Sequence, residues 1–160
     1  MNDISDHAIV SEDVKIGKNT VIYHWCNLYG CVIGENTKIG TFVEVQKNVR
    51  IGNNCKISSH SFICEGVSIG NNCFIGHGVM FINDRHPKSI NENGTLATGE
   101  DWILEKTNIS DNVSIGTGAI IMCGVNIGPN ATIGAGAVVT KDVEANKTVV
   151  GIPARVVNKD

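Results

Sequence analysis

The sequence has few bulky rings: four Phe, two Tyr and two Trp among 160 residues. So few suit a narrow interior rather than a thick one. No run of Lys or Arg is present, the net charge is −3 and the pI about 5.9. Nucleic acid binding driven by charge is therefore not expected. No apolar run approaches twenty residues, and Met1 is not followed by a charged-then-apolar leader. Neither a membrane span nor export is expected. None of the six cysteines (Cys26, Cys31, Cys55, Cys64, Cys73 and Cys123) stands in a CxxC pair, which speaks against a zinc ribbon or a dithiol redox centre. A reduced, cytoplasmic protein fits that usage.

What the chain does have is glycine, eighteen of them, and a period. Apolar residues recur every sixth position at Ile33, Ile39, Val45, Ile51, Ile57, Ile63, Ile69, Ile75 and Phe81. Gly34, Gly40, Gly52, Gly70 and Gly76 directly follow five of them. A small or β-branched residue stands four places on, as at Thr37, Val43, Cys55, Ser61 and Cys73. A period of six suits neither a 3.6-residue helix nor a plain strand. It suits a ribbon of short parallel strands turning a corner every six residues, three strands to a coil, which is the β-helix signature. The large side chain fills the interior and the small one fits beside the corner. Such a solenoid contacts only neighbouring turns, so its core is a thin column. Cys26, Cys55 and Cys73 hold the small-residue place, where a free thiol acts as a small hydrophobe.

The period begins at Ile4 and continues through Val10, Ile16, Ile22 and Leu28. The step from Leu28 to Ile33 is five, so one residue is missing at a corner in the segment His24 to Tyr29. The pattern fails at Asn83 and returns with Ile103, Ile109, Ile115, Ile121, Ile127, Ile133 and Val139. The intervening residues, about 83–102, form an inserted loop, and long ordered loops in compact domains are usually functional. Residues of about 141–160, bent at Gly151 and Pro153, read as a cap on the open end of the column. The whole of 1–160 is expected to form a single domain.

Three strands of six residues make an eighteen-residue coil, rising about 4.8 Å per turn. That spacing sets Asn83 above Glu65 and His77 roughly above His60. Glu65, Asn83, Asp84 and His86 then converge at the root of the loop. The plainer alternative is that Asn83-Asp84 only starts a turn and Glu65 is solvated.

The repeats, the loop after Phe81 and the closing Val149-Val150-Gly151-Ile152-Pro153-Ala154-Arg155 resemble the left-handed β-helix acyltransferases that use acyl-CoA. The resemblance covers essentially the whole chain and implies an all-β fold, a left-handed parallel β-helix with one long loop and a short C-terminal cap. Glu65-Gly66 and Phe81-Ile82-Asn83-Asp84-Arg85-His86-Pro87 are similar to the nucleotide-sugar 3-N-acetyltransferases. Those enzymes acetylate the amine of dTDP- or UDP-linked 3-amino sugars for surface polysaccharides such as O-antigen, S-layer or capsule. The resemblance implies catalytic roles for Asn83, Asp84 and Glu65, and substrate contacts from His60, Arg85, His86 and Lys88. It further implies acetyl-CoA as co-substrate along a groove at Gly118, Ala119, Gly136 and Ala137, with Lys141 and Arg155 towards its phosphates. A homotrimer with sites between subunits and no metal completes that expectation.

His86-Pro87 supports an alternative. O-acetyltransferases of the wider hexapeptide group use a loop histidine, often before Pro, as general base, because a hydroxyl must lose its proton during attack. Hexapeptide carbonic anhydrases hold zinc on three histidines. Here His24 and His60 are two nominal coils apart, and the place five after His60 is Glu65, which leaves that set incomplete. A non-enzymatic scaffold is the remaining alternative, and the long polar loop argues against it.

Overall fold

The computed structural model describes residues 1–157. Short parallel strands of two or three residues build a left-handed parallel β-helix of three sheets, with nine, seven and six strands. Sheet one runs from Asp3–Ile4 to Arg155–Val157, sheet two from Ile9–Val10 to Val138–Val139, and sheet three from Lys15–Ile16 to Asn126–Ile127. The chain visits the sheets in turn and changes sheet at each corner. Register advances by eighteen residues, Lys38 to Lys56 to Phe74 and Ser114 to Thr132.

One coil is a residue short, since Asn27 pairs with Glu44 and Lys15 with Val32. The missing place lies at Tyr29-Gly30-Cys31, within the five-residue step from Leu28 to Ile33 and overlapping the end of the expected segment. Gly30 has φ +55°, and a Cβ there would stand 2.7 Å from Lys47 Cβ, so the tightened corner needs glycine. The register also corrects the histidines: Gly78 lies above His60, and His77 above Ser59.

The column is filled as the period predicts. Ile33, Ile39, Ile57, Ile63, Ile75, Ile115, Ile121 and Ile133 are all buried, each contributing roughly 1.5–3 kcal/mol. The small residues beside the corners do more than fit. Thr20 and Thr37 hydroxyls donate to the carbonyls of Gly34 and Gly52 at 2.7 and 3.0 Å. Cys26, Cys55 and Cys73 thiols reach the carbonyls of Gly40, Gly70 and Ser110 at 3.0–3.1 Å. All six cysteines are free and buried. Burial pushes the Cys64 thiol up to about 12.

Each corner needs a residue of left-handed backbone conformation. Where sheet three turns into sheet one, that place is held by Asn19, Asn36, Asn54, Asn72, Asn112, Asn130 and Asn146. Asparagine tolerates the conformation, and side-chain amides bond from coil to coil, as Asn54 to Asn72 and Asn72 to Asn112 at 3.1 Å. Where sheet one turns into sheet two, the same place holds Trp25, Phe42 and His60, then Gly78, Gly118 and Gly136. A left-handed conformation costs an ordinary side chain roughly 1–2 kcal/mol.

Two expectations shift at the insertion and the end. Ile103 is 85% exposed, and the repeat rejoins the core only at Thr107–Ile109, paired with Val67–Ile69. The insertion thus extends past 102, because Leu104 is spent on packing against Gly66 at the corner. The terminal cap is a hairpin: Thr148–Val150 and Arg155–Val157 pair antiparallel and extend sheet one. Its turn bonds Val138 through Gly151 and Ala154. Residues 158–160 of the expected cap lie outside the described residues.

The coils lie close enough that glycine after the interior residue is obligatory at several steps. A Cβ on Gly52 would stand 2.5 Å from Gly70 O. Gly52→Ala should therefore cost about 1–3 kcal/mol, read as a lowered melting temperature. Ser58, whose buried hydroxyl has no partner among the described residues, behaves oppositely: Ser58→Ala should raise the melting temperature, since an unsatisfied buried hydroxyl costs about 1–3 kcal/mol.

Candidate functional site

The insertion leaves the helix where sheet two turns into sheet three, directly after the buried Phe81. Asn83 stands one coil above Glu65, as the eighteen-residue spacing predicts. Its Nδ2 donates to the Glu65 carbonyl at 3.3 Å, and its own carbonyl accepts from Glu105 N at 3.5 Å. That orientation leaves Asn83 Oδ1 as an acceptor with no partner among the described residues. The Glu65 side chain is 20% exposed, with Oε2 3.6 Å from Lys47 Nζ. Its Oε1 accepts from Asn48 Nδ2 at 2.9 Å.

Behind Glu65 lies a polar relay that the sequence reading missed. Glu65 N donates to Gln46 Oε1 at 3.1 Å, and Gln46 Nε2 donates to Glu44 Oε1 at 3.1 Å. Tyr29 donates to the same Glu44 oxygen at 3.4 Å. Partial burial and the adjacent Glu44 carboxylate push the Tyr29 phenol up. Counting one coil back from Glu65 reaches Lys47 and Asn48, so the spacing that found Asn83 also pointed here.

Asp84 Oδ1 accepts from His86 N at 2.8 Å. This closes an Asx turn, the role the plainer alternative gave it. Arg85 forms a fork with Glu105, Nε to Oε1 at 3.0 Å and Nη2 to Oε2 at 2.8 Å, and also donates to Cys123 O at 2.9 Å. Hydrogen bonding from Arg85 holds the Glu105 carboxyl below its ordinary range, and Glu105 in turn pushes Arg85 up. The pair fastens the loop root to the next coil. Arg85 is thus engaged within the chain, while Lys88 stays exposed.

Beyond the root, the loop encloses a cleft of about 840 Å³ whose lining includes Asp84, Arg85, His86, Lys88 and Trp102. Bonds within the loop keep its shape. Asn91 Oδ1 accepts from Thr95 N at 3.2 Å, and Asp101 Oδ2 accepts from Thr98 N at 2.7 Å. The latter bond lowers the Asp101 carboxyl.

The other expected site residues lie elsewhere on the chain. His60 occupies the corner between sheets one and two, its ring 5.0 Å from Phe42, and is not brought to Glu65 and Asn83 within one chain. Gly118 and Gly136 share that corner, and a Cβ at either would meet open space. Bare backbone of this kind fits close approach by an extended co-substrate such as acetyl-CoA. Ala119 and Ala137 are fully buried and belong to the column, so their side chains are not groove surface. Arg155 is exposed and follows the turn bonded to Val138, near Gly136, whereas the exposed Lys141 lies where sheet two turns into sheet three. Among the described residues no three His, Cys, Asp or Glu converge to hold a metal ion.

Residues 30–65 and 106–141, the coils on either side of the insertion, match the bacterial transferase hexapeptide family, six repeats. These coils carry the repeat of the bacterial hexapeptide transferases, and acetyltransferases built of the same repeat are similar to this chain. A hexapeptide-repeat-containing acetyltransferase from Vibrio cholerae is 28% identical, over 76% of this chain and 74% of that one, with a TM-score of 0.61. A variant of AntD, an N-acyltransferase from Bacillus cereus solved with dTDP and coenzyme A, is 22% identical over 90% of this chain and 82% of its own, TM-score 0.78. The acetyltransferase domain of PglB from Neisseria gonorrhoeae is 20% identical over 98% and 58%, TM-score 0.60. The last two likenesses establish the fold alone. No curated protein matches the sequence.

AntD was solved with coenzyme A bound; the loop root of this chain presents an oriented acceptor oxygen, a carboxylate and a fixed turn. The Arg85–Glu105 fork should decide how firmly that root is held. Glu105 is lowered in the folded chain, so its contribution is present above the ordinary carboxylate range and is lost as pH falls through the lowered value. Glu105→Gln should speed amide exchange in the loop severalfold at neutral pH while the isoleucine column stays protected. The parent protein should show the same loosening only in acid.

Proposed function

We propose that this acyltransferase moves acetyl from acetyl-CoA to the 3-amino group of a dTDP- or UDP-linked amino sugar, in the cytoplasm and as a homotrimer with sites between subunits. The observation carrying this reading is the Asn83 amide, tied through Nδ2 to Glu65 O with Oδ1 left to accept. AntD, which shares the fold, is an N-acyltransferase seen with dTDP and coenzyme A. A product sugar of this kind suits surface polysaccharide synthesis.

The chemistry asks for few groups. A neutral amine is a strong nucleophile towards a thioester, so most of the acceleration comes from aligning two substrates. The amine donates one N–H to Asn83 Oδ1, which turns its lone pair towards the thioester carbonyl. The C–N bond forms, a backbone N–H steadies the oxyanion, and the C–S bond then breaks. The surplus ammonium proton passes to Glu65 or Asp84, directly or through water, or to the departing thiolate.

Transfer to a hydroxyl is the second reading. It is favoured by the Asp84 turn, which fixes His86 in the lining of the loop cleft. There His86 would take the hydroxyl proton as general base.

Thiol release and product mass separate these readings. The panel is dTDP-3-amino-3,6-dideoxyglucose, its galacto epimer, a UDP-linked 2-acetamido-3-amino uronate and an unmodified galactoside. Acetylation of one amino compound is expected, with Asn83→Ala losing roughly 100-fold or more in turnover and His86→Ala far less. Asp84→Ala should also fall, through loss of its turn or of its carboxylate. Turnover on the hydroxyl compound alone would make His86 the base, and a fully active Asn83→Ala would remove Asn83 from the site.

A further inference from the structure

The corner between sheets one and two has two contrasting halves. Over the earlier coils it carries rings: His7 and Trp25 at 6.2 Å, Trp25 and Phe42 at 5.1 Å and 12°, Phe42 and His60 at 5.0 Å and 28°. Over the next three coils the equivalent place is glycine, at Gly78, Gly118 and Gly136, and a Cβ at any of them would meet nothing within 4 Å. The column of rings therefore ends abruptly at His60, one coil below Gly78.

The fold does not ask for these rings. Asparagine serves the same backbone conformation at the sheet three to sheet one corner, and glycine serves it higher on this one. Trp25, Phe42 and His60 hold it instead (φ 56°, 58° and 63°), where bulky residues are rare. Trp25 is 57% exposed and Phe42 48%, so burial does not explain them. Strained backbone retained around exposed rings points to a ligand.

Trp25 and Phe42 are covered on both faces by their neighbours, and of the column's two ends the one that meets bare glycine is the outer face of His60. Above it, the next coil provides a gap about 4.8 Å high, floored by the bare backbone of Gly78 and flanked by the exposed His77 and Thr117. The space is open towards Gly118 and Gly136, and its first step, one coil deep, matches the thickness at which a flat π system would lie on the His60 ring. We infer that the nucleobase of the acceptor seats over Gly78 as the next member of the column, stacked on His60. This rests on the nucleotide-sugar reading above, in which the base is the acceptor's one flat ring. It also gives the two halves of the edge separate tasks, with the base at the end of the column and the glycine strip beyond it left bare for the extended co-substrate. Bases stack on histidine as on other aromatic side chains.

The test titrates dTDP and UDP, with pyrophosphate as the ringless probe, into the parent protein, His60→Ala and Gly78→Asn, by calorimetry and ligand-observed NMR. Gly78→Asn fills the gap with a residue the fold already uses at seven equivalent turns of another corner, and an unchanged melting temperature checks its folding. We expect one nucleotide to bind the parent with its base protons moved upfield, and both variants to bind it roughly tenfold more weakly. Pyrophosphate should not distinguish the three proteins. Equal nucleotide affinity in parent and Gly78→Asn, or no nucleotide binding by the parent, overturns the inference. So does a His60→Ala protein whose sedimentation changes while its nucleotide affinity does not, which would make the rings a contact between copies. Base binding without acetylation of any amino sugar leaves the subsite standing and removes the proposed reaction. Amine acetylation undiminished in Gly78→Asn does the reverse.

Discussion

Everything in this chain depends on coil resting on coil in register. Backbone N–H groups of one turn reach carbonyls of the next at about 2.8–3.0 Å, as Gly40 N to Ile57 O and Gly52 N to Ile69 O. The approach is so close that several of the glycines following the column residues admit no Cβ. Because the structure is nearly one-dimensional, each coil is held by its two neighbours. A local feature such as the inserted loop can therefore be hung on one corner without disturbing the column elsewhere. The strands Phe74–Ile75 and Ser114–Ile115 pair as if the loop were absent.

That constraint makes corners the only places free to vary, and they diverge accordingly. One corner is a ladder of asparagine amides that holds the turn. A second carries rings and then bare glycine. The third carries the insertion, and with it Asn83, Glu65 and the Arg85–Glu105 fork. The insertion thus stands on rigid scaffold at both its anchoring ends: Phe81 is buried in the column before the loop, and Thr107 after it.

Hydrogen-bonding capacity at the small-residue places unites stability with sequence choice. Thr, Ser and Cys recur there because their side chains both fit beside the corner and donate to a carbonyl of the next coil, which Val and Ala do not. A thiol at Cys55 or Cys73 is therefore a structural group. Both are buried, and each reaches a carbonyl of the next coil.

The linear sequence determined the column. A strict six-residue period identifies interior residues and coil length, and coil length places Asn83 over Glu65 through local arithmetic alone. It erred where packing overrides spacing: Ile103 fits the period yet is exposed, because Leu104 takes the contact at Gly66. Only the tertiary structure decided which side chains engage. Arg85 could equally have met a substrate, and whether it meets Glu105 depends on two segments twenty residues apart closing at the loop root. Trp25, Phe42 and His60 stand one coil apart in sequence, yet only the tertiary structure shows their exposed rings lying face to face.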